Sequence, residues 1–164
     1  SAIKYAKVTP VRDETGLVVD YITEGDFPTY GNDDDRADEI AAAIVHTVMS
    51  KIKEIPLYRD AVPTQSVLTI TSNVVYGKAT GSFPSGHKAG TPFAPGANPE
   101  NGVDNHGMLA SMLSVGKLDY SDALDGISLT NTITPSGLGR TKEEQVNNLV
   151  GILDAGFVPN DCCC

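Results

Sequence analysis

The sequence predicts an α/β fold in which helices and strands follow one another, either as an α/β layer or as part of an α/β barrel. Three observations support this prediction. An apolar segment free of glycine and proline lies at 66–76, a long amphipathic segment precedes it at 33–54, and an alternating segment follows at 127–133. With 164 residues, the chain is expected to form one domain with a real core.

The first thirty residues predict an extended, turn-rich approach with one or two short strands. Apolar runs at 7–11 and 17–22 are separated by Gly16, and Gly25 and Pro28 follow them. Glycine and proline at such intervals are typical of turns.

The clearest helix is predicted at 33–54. Apolar side chains recur at i+4 steps with a second row beside them, which predicts one apolar stripe that must lie on another element. The two rows are Ile40, Ile44, Val48 and Ile52, and Ala41, Val45 and Met49. Asn32 or Asp33 can cap the N-terminus, and Pro56 ends the helix.

The central part of the chain combines a predicted strand with a long loop. The segment 66–76 is dense in Val, Ile, Leu and Thr, which predicts a strand buried on at least one face. Over 77–99, glycines and prolines recur every few residues, so the backbone is expected to follow a fixed irregular path. A strand that leads into an ordered loop often places a functional surface.

A second helix is predicted to begin at a cap formed by Asp104 or Asn105 and to end near Val115. Its inward-facing side chains are expected to be Leu109, Met112 and Leu113. The Asp125-Gly126 pair then predicts a turn before the strand at 127–133.

The last helix is predicted to start at a capping box, Thr-Lys-Glu-Glu at 141–144. Its buried side is expected to comprise Val146, Leu149, Val150 and Leu153.

The net charge of −9 argues against binding to nucleic acid, because a phosphate backbone requires clustered lysine and arginine. No membrane contact is expected either, since no run approaches the roughly 20 apolar residues that cross a bilayer. The N-terminal residues lack the apolar core of a signal peptide, so a cytoplasmic location is expected.

The cysteines and histidines predict no disulfide framework and no metal site. Cys162, Cys163 and Cys164 stand together at the end, in a divergent tail at 159–164 that is expected to be disordered. The three histidines, His46, His87 and His106, lack metal-ligand spacing. The acidic run at 33–35 is expected to cap a helix rather than bind calcium.

The loop contains two incomplete motifs. Gly81 and Gly86 have the glycine spacing of a P-loop, but His87 stands where that motif requires lysine. The tetrapeptide Pro-Ser-Gly-His at 84–87 resembles the signature of the acid-phosphatase superfamily, yet the chain has no Arg-Pro sequence of the kind that superfamily carries upstream. Neither motif is expected to operate here.

Several segments together resemble a known family. They are SVLTITSNVVYGKATG at 66–81, GHKAGTPFAPGANP at 86–99, Lys-Leu at 117–118 and Asp-Gly-Ile-Ser at 125–128. These segments resemble the C-terminal third of pyruvate formate-lyase, a glycyl radical enzyme. The resemblance begins at SAIKYAKV, residues 1–8, and runs to about Asp154.

The resemblance implies that residues 1–158 are a segment of the ten-stranded β/α barrel of glycyl radical enzymes. It also implies a homodimer that converts pyruvate and CoA to acetyl-CoA and formate under anaerobic conditions. The radical in that family is carried by a protein glycine and is installed by a separate activating enzyme.

The sequence also departs from the family pattern. It contains neither the adjacent cysteine pair inside the barrel nor the Arg-Val-Ser-Gly-Tyr type segment that carries the radical, so no catalytic residue or cofactor site is assigned to it. Ser85, His87 and Lys88 replace the usual Asp-Gly-Arg-Arg pattern around Gly86, which puts the ion pairs of that loop in doubt. The chain is therefore expected to be an inactive fragment of a longer enzyme. The alternative is a stand-alone accessory or interaction domain derived from the same barrel segment.

Leu68 and Ile70 match residues of an inner barrel strand that, in the family, line the pyruvate pocket. Residues two apart on a strand share a face, which is compatible with that placement. Their implied role is to exclude water from the radical. The alternative is that both are ordinary core residues.

Overall fold

The computed structural model describes residues 1–68 and 72–157. Its helices and strands are α1 (Ala2–Tyr5), β1 (Lys7–Arg12), β2 (Val18–Glu24), α2 (Asp35–Lys53), α3 (Ser72–Lys78), α4 (Met108–Gly116) and α5 (Lys142–Phe157). Short 3-10 turns lie at Tyr120–Asp122 and Pro135–Gly137. The tail at 159–164 lies outside the described residues, and so does Ile70.

The two short strands predicted near the N-terminus are confirmed as an antiparallel ribbon. Lys7 lies opposite Glu24, and the register shifts after Val11. The connecting turn is closed by the Asp13 carboxylate, which accepts hydrogen bonds from the backbone N–H groups of Thr15 (2.9 Å) and Leu17 (3.0 Å). Such an Asx turn explains why the chain reverses here.

The longest predicted helix is confirmed as α2, but its cap is Asp34 rather than Asn32 or Asp33. The Asp34 carboxylate accepts a hydrogen bond from the backbone N–H of Arg36 at 3.0 Å, which satisfies one of the free donors of the first turn. Asp33 has left-handed backbone angles, with φ of 56°, and so stands outside the helix.

The predicted apolar stripe of α2 divides into two faces. Met49 is buried, and Ala41 and Val45 pack against the core. In contrast, Ile44 and Val48 are 59% and 47% exposed. The expectation that one stripe is covered as a whole is therefore wrong, because Ile44 and Val48, in the middle of one of its rows, are exposed.

The core lies where the inner face of α2 meets the end of α4 and the end of the central loop. Its buried centre consists of Ala97, Val115 and Leu118. Partly buried side chains pack around it: Tyr30, Ala41, Ala42, Val45, Val67, Ile127 and Leu129. The loop thus contributes to the core and does not only cover it.

The strand predicted at 66–76 is wrong from Ser72 onward, because Ser72–Lys78 form helix α3, while residues 69–71 lie outside the described ranges. Val67 forms a bridge, parallel to Ile127, with hydrogen bonds from Val67 N–H to the Gly126 carbonyl and from Ser128 N–H to the Val67 carbonyl, both 3.0 Å. β-branched residues favour strands only where a neighbouring strand can pair with them. Among the described residues, no strand pairs with residues 72–78.

The strand predicted at 127–133 is likewise reduced to the bridge at Ile127. The residues after it are held by the end of the loop instead. The Ala97 N–H donates to the Ser128 carbonyl at 2.8 Å, and the Asn98 side chain bonds both the N–H and the carbonyl of Thr130. The described residues therefore contain helices and a two-stranded sheet.

Helices α4 and α5 form near the predicted positions, but the predicted cap of α4 at Asp104 or Asn105 is wrong, because Gly107 precedes the helix at Met108–Gly116. The buried faces also differ from those predicted. Leu109 is 52% exposed, whereas Ser111, Ser114 and Val115 are the buried residues of α4. The capping box of α5 is confirmed, since the Glu144 N–H donates to Thr141 Oγ1 at 3.2 Å and the Thr141 N–H donates to Glu144 Oε2 at 3.1 Å. The four apolar side chains expected to be buried on α5 are all exposed: Val146, Leu149, Val150 and Leu153.

Among the described helices, none is long and apolar enough to cross a bilayer.

Candidate functional site

The central loop, residues 77–99, is hydrogen-bonded to α3. The Asn73 side-chain amide donates to the Phe93 carbonyl at 2.9 Å, and the Phe93 N–H donates to the Asn73 carbonyl at 3.3 Å. Gly77 lies directly against the loop, because a Cβ at this position would lie 2.1 Å from the Thr91 carbonyl oxygen. Only glycine permits this approach of helix and loop.

A histidine cluster organises the middle of the loop. We use this name for Phe83, His87, Thr91, Phe93 and Glu100. The His87 ring stacks against both Phe83 and Phe93, with centroid distances of 5.2 and 4.7 Å, and the two phenyl rings also stack on each other at 5.9 Å. Its Nδ1 shares a hydrogen bond with a carboxylate oxygen of Glu100, and its Nε2 lies 3.2 Å from Thr91 Oγ1.

The backbone turns tightly around this histidine. The Phe83 N–H donates to the His87 carbonyl at 2.9 Å, and the Gly86 N–H donates to the Phe83 carbonyl at 3.1 Å. Gly86 has a φ of 104°, in the region that favours glycine. The turn therefore presents the His87 side chain inward, where none of it is exposed.

The loop makes two side-chain contacts with acidic residues despite its departure from the family pattern. His87 pairs with Glu100, and Lys88 Nζ lies 2.8 Å from an Asp20 carboxylate oxygen on β2. The hydrogen bond from Lys88 holds the pKa of Asp20 below its ordinary value. Thr23 Oγ1 also donates to the Pro84 carbonyl at 2.7 Å, so the ribbon and the loop are joined at two points.

A cavity of about 390 Å³ opens beside the histidine cluster. It is lined by Gly86, His87, Lys88, Thr91, Pro92, Glu100 and Asn101. Chemically, the His87–Glu100 pair can hold one proton between Nδ1 and the carboxylate.

A second group of polar side chains, the acid–lysine cluster, joins the start of α2 to the end of α4. We use this name for Asp33, Asp35, Asp38, Ser114 and Lys117. Lys117 Nζ lies 2.6, 2.7 and 2.8 Å from carboxylate oxygens of Asp33, Asp35 and Asp38. Ser114 Oγ donates to Asp38 at 3.1 Å and accepts from the Asp33 N–H at 2.9 Å.

This arrangement explains the acidic run at 33–35 without a metal. The run provides the helix cap and two of the three carboxylates that surround Lys117. Within residues 1–68 and 72–157, no group of three or more side chains is placed to hold a metal ion.

Three further residues that the sequence analysis names are Leu68, His46 and His106. Leu68 is 51% exposed in the structure, and its pairing with Ile70 involves a residue outside the described ranges. His46 bonds Asp122 at 2.6 Å, and His106 Nδ1 lies 3.1 Å from the Asn32 carbonyl. No local pattern pointed to Glu100, which lies 13 residues from its partner His87 and belongs to no motif.

Two family models match consecutive parts of the chain. The model described as "Pyruvate formate lyase-like" matches residues 1–77, and the model described as "Glycine radical" matches residues 93–163. The two matches leave residues 78–92, which belong to the central loop, between them.

Curated relatives and a solved structure agree with these models. The chain is 57% identical to the PFL-like enzyme TdcE and 55% identical to formate acetyltransferase 1, both of Escherichia coli K12, over 157 residues. A solved glycyl radical enzyme from Archaeoglobus fulgidus is similar over 80% of this chain and 17% of that protein, with a TM-score of 0.71 and 30% identity. The matches to the two relatives cover 96% of this chain but only 20% and 21% of their lengths. The chain thus spans about one fifth of the relatives that it matches.

Proposed function

The chain belongs to the pyruvate formate-lyase family of glycyl radical enzymes, and we propose that it forms a segment of the catalytic barrel of such an enzyme. One observation carries the proposal: more than half of the residues are identical to those of formate acetyltransferase 1 across nearly the whole chain. The stand-alone accessory domain has no comparable support.

In this proposal, the complete enzyme converts pyruvate and CoA to acetyl-CoA and formate under anaerobic conditions. A glycyl radical installed by a separate activating enzyme supplies the radical chemistry. The enzyme acts as a cytoplasmic homodimer. None of the described residues is assigned a catalytic role, and the chain by itself is expected to have no lyase activity.

The contribution of this chain is the architecture beside the reaction site. The parallel bridge between Val67 and Ile127 supports the proposal that these two segments are neighbouring strands of the barrel. Leu68 and Ile70 are proposed to complete the apolar pocket for pyruvate once the rest of the barrel is present. The histidine cluster then fixes the loop that follows this strand.

A chimera tests the proposal. The matched 157-residue region of E. coli formate acetyltransferase 1 is replaced by this chain, and the product is activated anaerobically by its activating enzyme. We expect CoA-dependent release of formate from pyruvate, within about tenfold of the parent enzyme, and none from the isolated chain. An inactive chimera that folds as the parent dimer would contradict the proposal, and so would lyase activity of the isolated chain.

A further inference from the structure

The outer face of α2 carries an apolar groove that no described residue fills. The groove has a volume of about 340 Å³ and is lined by Ile40, Ala43, Ile44, Thr47 and Val48. No charged side chain lines it, although the protein as a whole carries a net charge of −9. On the face of a solvent-exposed helix, such a row is normally polar.

The total accessible surface also exceeds that of a self-contained protein. The chain exposes 10833 Å², whereas a folded monomer of 17.3 kDa exposes about 7800 Å². Ten residues expose at most about 1600 Å² when fully extended, so the residues outside the described ranges do not account for the difference. The remaining surplus exceeds the roughly 800 Å² that each partner buries in a standard interface.

The uncovered apolar side chains lie on several elements. Besides the groove, they lie on α5, where Val146 and Val150 are exposed, and on the ribbon, where Val19 and Ile22 are exposed. A two-fold pair with a second copy covers one patch on each chain. Uncovered faces on α2, α5 and the ribbon instead require a partner large enough to contact all three. The relatives, which are about five times longer than the matched region, provide polypeptide of that size.

We infer that the α2 groove is the docking surface for the polypeptide that corresponds to the unmatched four fifths of the relatives. This inference rests on the proposed function and adds to it the place where the rest of the barrel packs. Ile44 lies at the centre of the contact. In the assembled enzyme its side chain is buried, and a charge at this position is not tolerated.

Paired variants in two contexts test this inference. Ile44→Lys places a charge in the groove, and Glu39→Lys, on an exposed position of another face of α2, is the matched control. In the isolated chain, both variants should shift the melting temperature by less than about 3 °C, since exposed positions are tolerant. In the chimera with formate acetyltransferase 1, Ile44→Lys should lower the yield of soluble active enzyme at least tenfold, because a buried unpaired charge is costly. Glu39→Lys should retain that yield.

The outcomes separate the two proposals. If the unmodified chimera is inactive, the proposed function fails and the docking inference fails with it. If the chimera is active and accepts Ile44→Lys as well as Glu39→Lys, only the docking inference is overturned. A discrete dimer of the isolated chain that Ile44→Lys converts to a monomer would assign the groove to a second copy and would also overturn the inference.

Discussion

The acid–lysine cluster and the histidine cluster both join segments that are distant in sequence, but they do so by different physical means. Lys117 connects the start of α2 to the end of α4 through three carboxylates, and one third of its side chain is exposed. His87 has one carboxylate partner, is enclosed by two aromatic rings and has no exposed side-chain surface. Charge therefore fastens two helices to each other, whereas packing gives an irregular loop a small core of its own.

The largest loss of stability is expected from a substitution where the loop contacts α3, because there is no space for an added atom at that point. Gly77→Ala places its Cβ 2.1 Å from the Thr91 carbonyl oxygen and 2.7 Å from Pro92 Cα, both of which are backbone atoms. The loop must move, at a cost of about 3 kcal/mol in the free energy of unfolding, even though alanine favours the helix. Urea titration followed by circular dichroism measures this loss.

Gly81→Ala is the matched control, since no atom lies within 4 Å of a Cβ at that position. It should change the free energy of unfolding by less than about 0.5 kcal/mol. Equal effects of the two substitutions would show that the loop does not pack on α3 as described.

The second largest loss of stability is expected from a substitution in the acid–lysine cluster. Lys117→Met leaves Asp38, whose side chain is fully buried, with Ser114 as its remaining described partner. Loss of one member of a buried pair is expensive, but Lys117 is partly exposed, so we expect a loss of about 2 kcal/mol. Lys51→Met removes an exposed pair with Glu54 and should cost less than about 0.5 kcal/mol. A similar small loss in both variants would argue against the structural role of Lys117.

The same cluster predicts a pH dependence at the alkaline end. Burial by itself lowers the pKa of Lys117, but hydrogen bonds to Asp33, Asp35 and Asp38 outweigh it and raise the pKa above its ordinary value. The unfolded chain releases this proton near pH 10.4, at about the ordinary lysine value, before the folded chain does. The stabilisation is therefore complete below that pH and is lost as the pH rises above it. Above about pH 10, wild type should lose stability more steeply than Lys117→Met, and parallel curves would contradict the assignment.

The sequence predicted the features that depend on local signals. Helix α2, the ribbon and the capping box of α5 each follow from residues within a few positions of one another. The incorrect predictions concern partners. Val74 and Val75 are helical because no strand pairs with them among the described residues, and the apolar row of α5 is exposed because nothing described covers it. Periodicity identifies an apolar face, but only the assembled structure determines what packs on it.

The histidine cluster was less predictable still, because its two polar members lie in ordinary sequence. Proline and glycine spacing indicated a fixed loop, and this is confirmed, but neither spacing nor motif pairs His87 with Glu100. The mutual stacking of Phe83, His87 and Phe93 depends on the loop reversing between Phe83 and Phe93, which is a property of the folded backbone. Resemblance to the family did not help, because His87 departs from its usual pattern.

The smallest effect is expected from removing the polar part of the histidine cluster while its volume is kept. His87→Leu keeps an apolar side chain of similar volume against Phe83 and Phe93 but loses the hydrogen bond with Glu100, a carboxylate that is one third exposed and remains hydrated. Such a hydrogen bond contributes about 1 kcal/mol to stability. The N–H groups of Phe83 and Gly86 should therefore exchange with solvent about fivefold faster in this variant. Hydrogen exchange at those two amides is the measurement.

Lys88→Met serves as the comparison for His87→Leu, because it removes the exposed pair with Asp20 and should leave those exchange rates within about twofold. Amides near Lys117 should keep their rates in both variants, since the two clusters share no member. Faster exchange at both clusters in His87→Leu would mean that the loop and the helix pair open together as one cooperative unit. In that case the distinction between a loop ordered by packing and helices joined by charge would not hold.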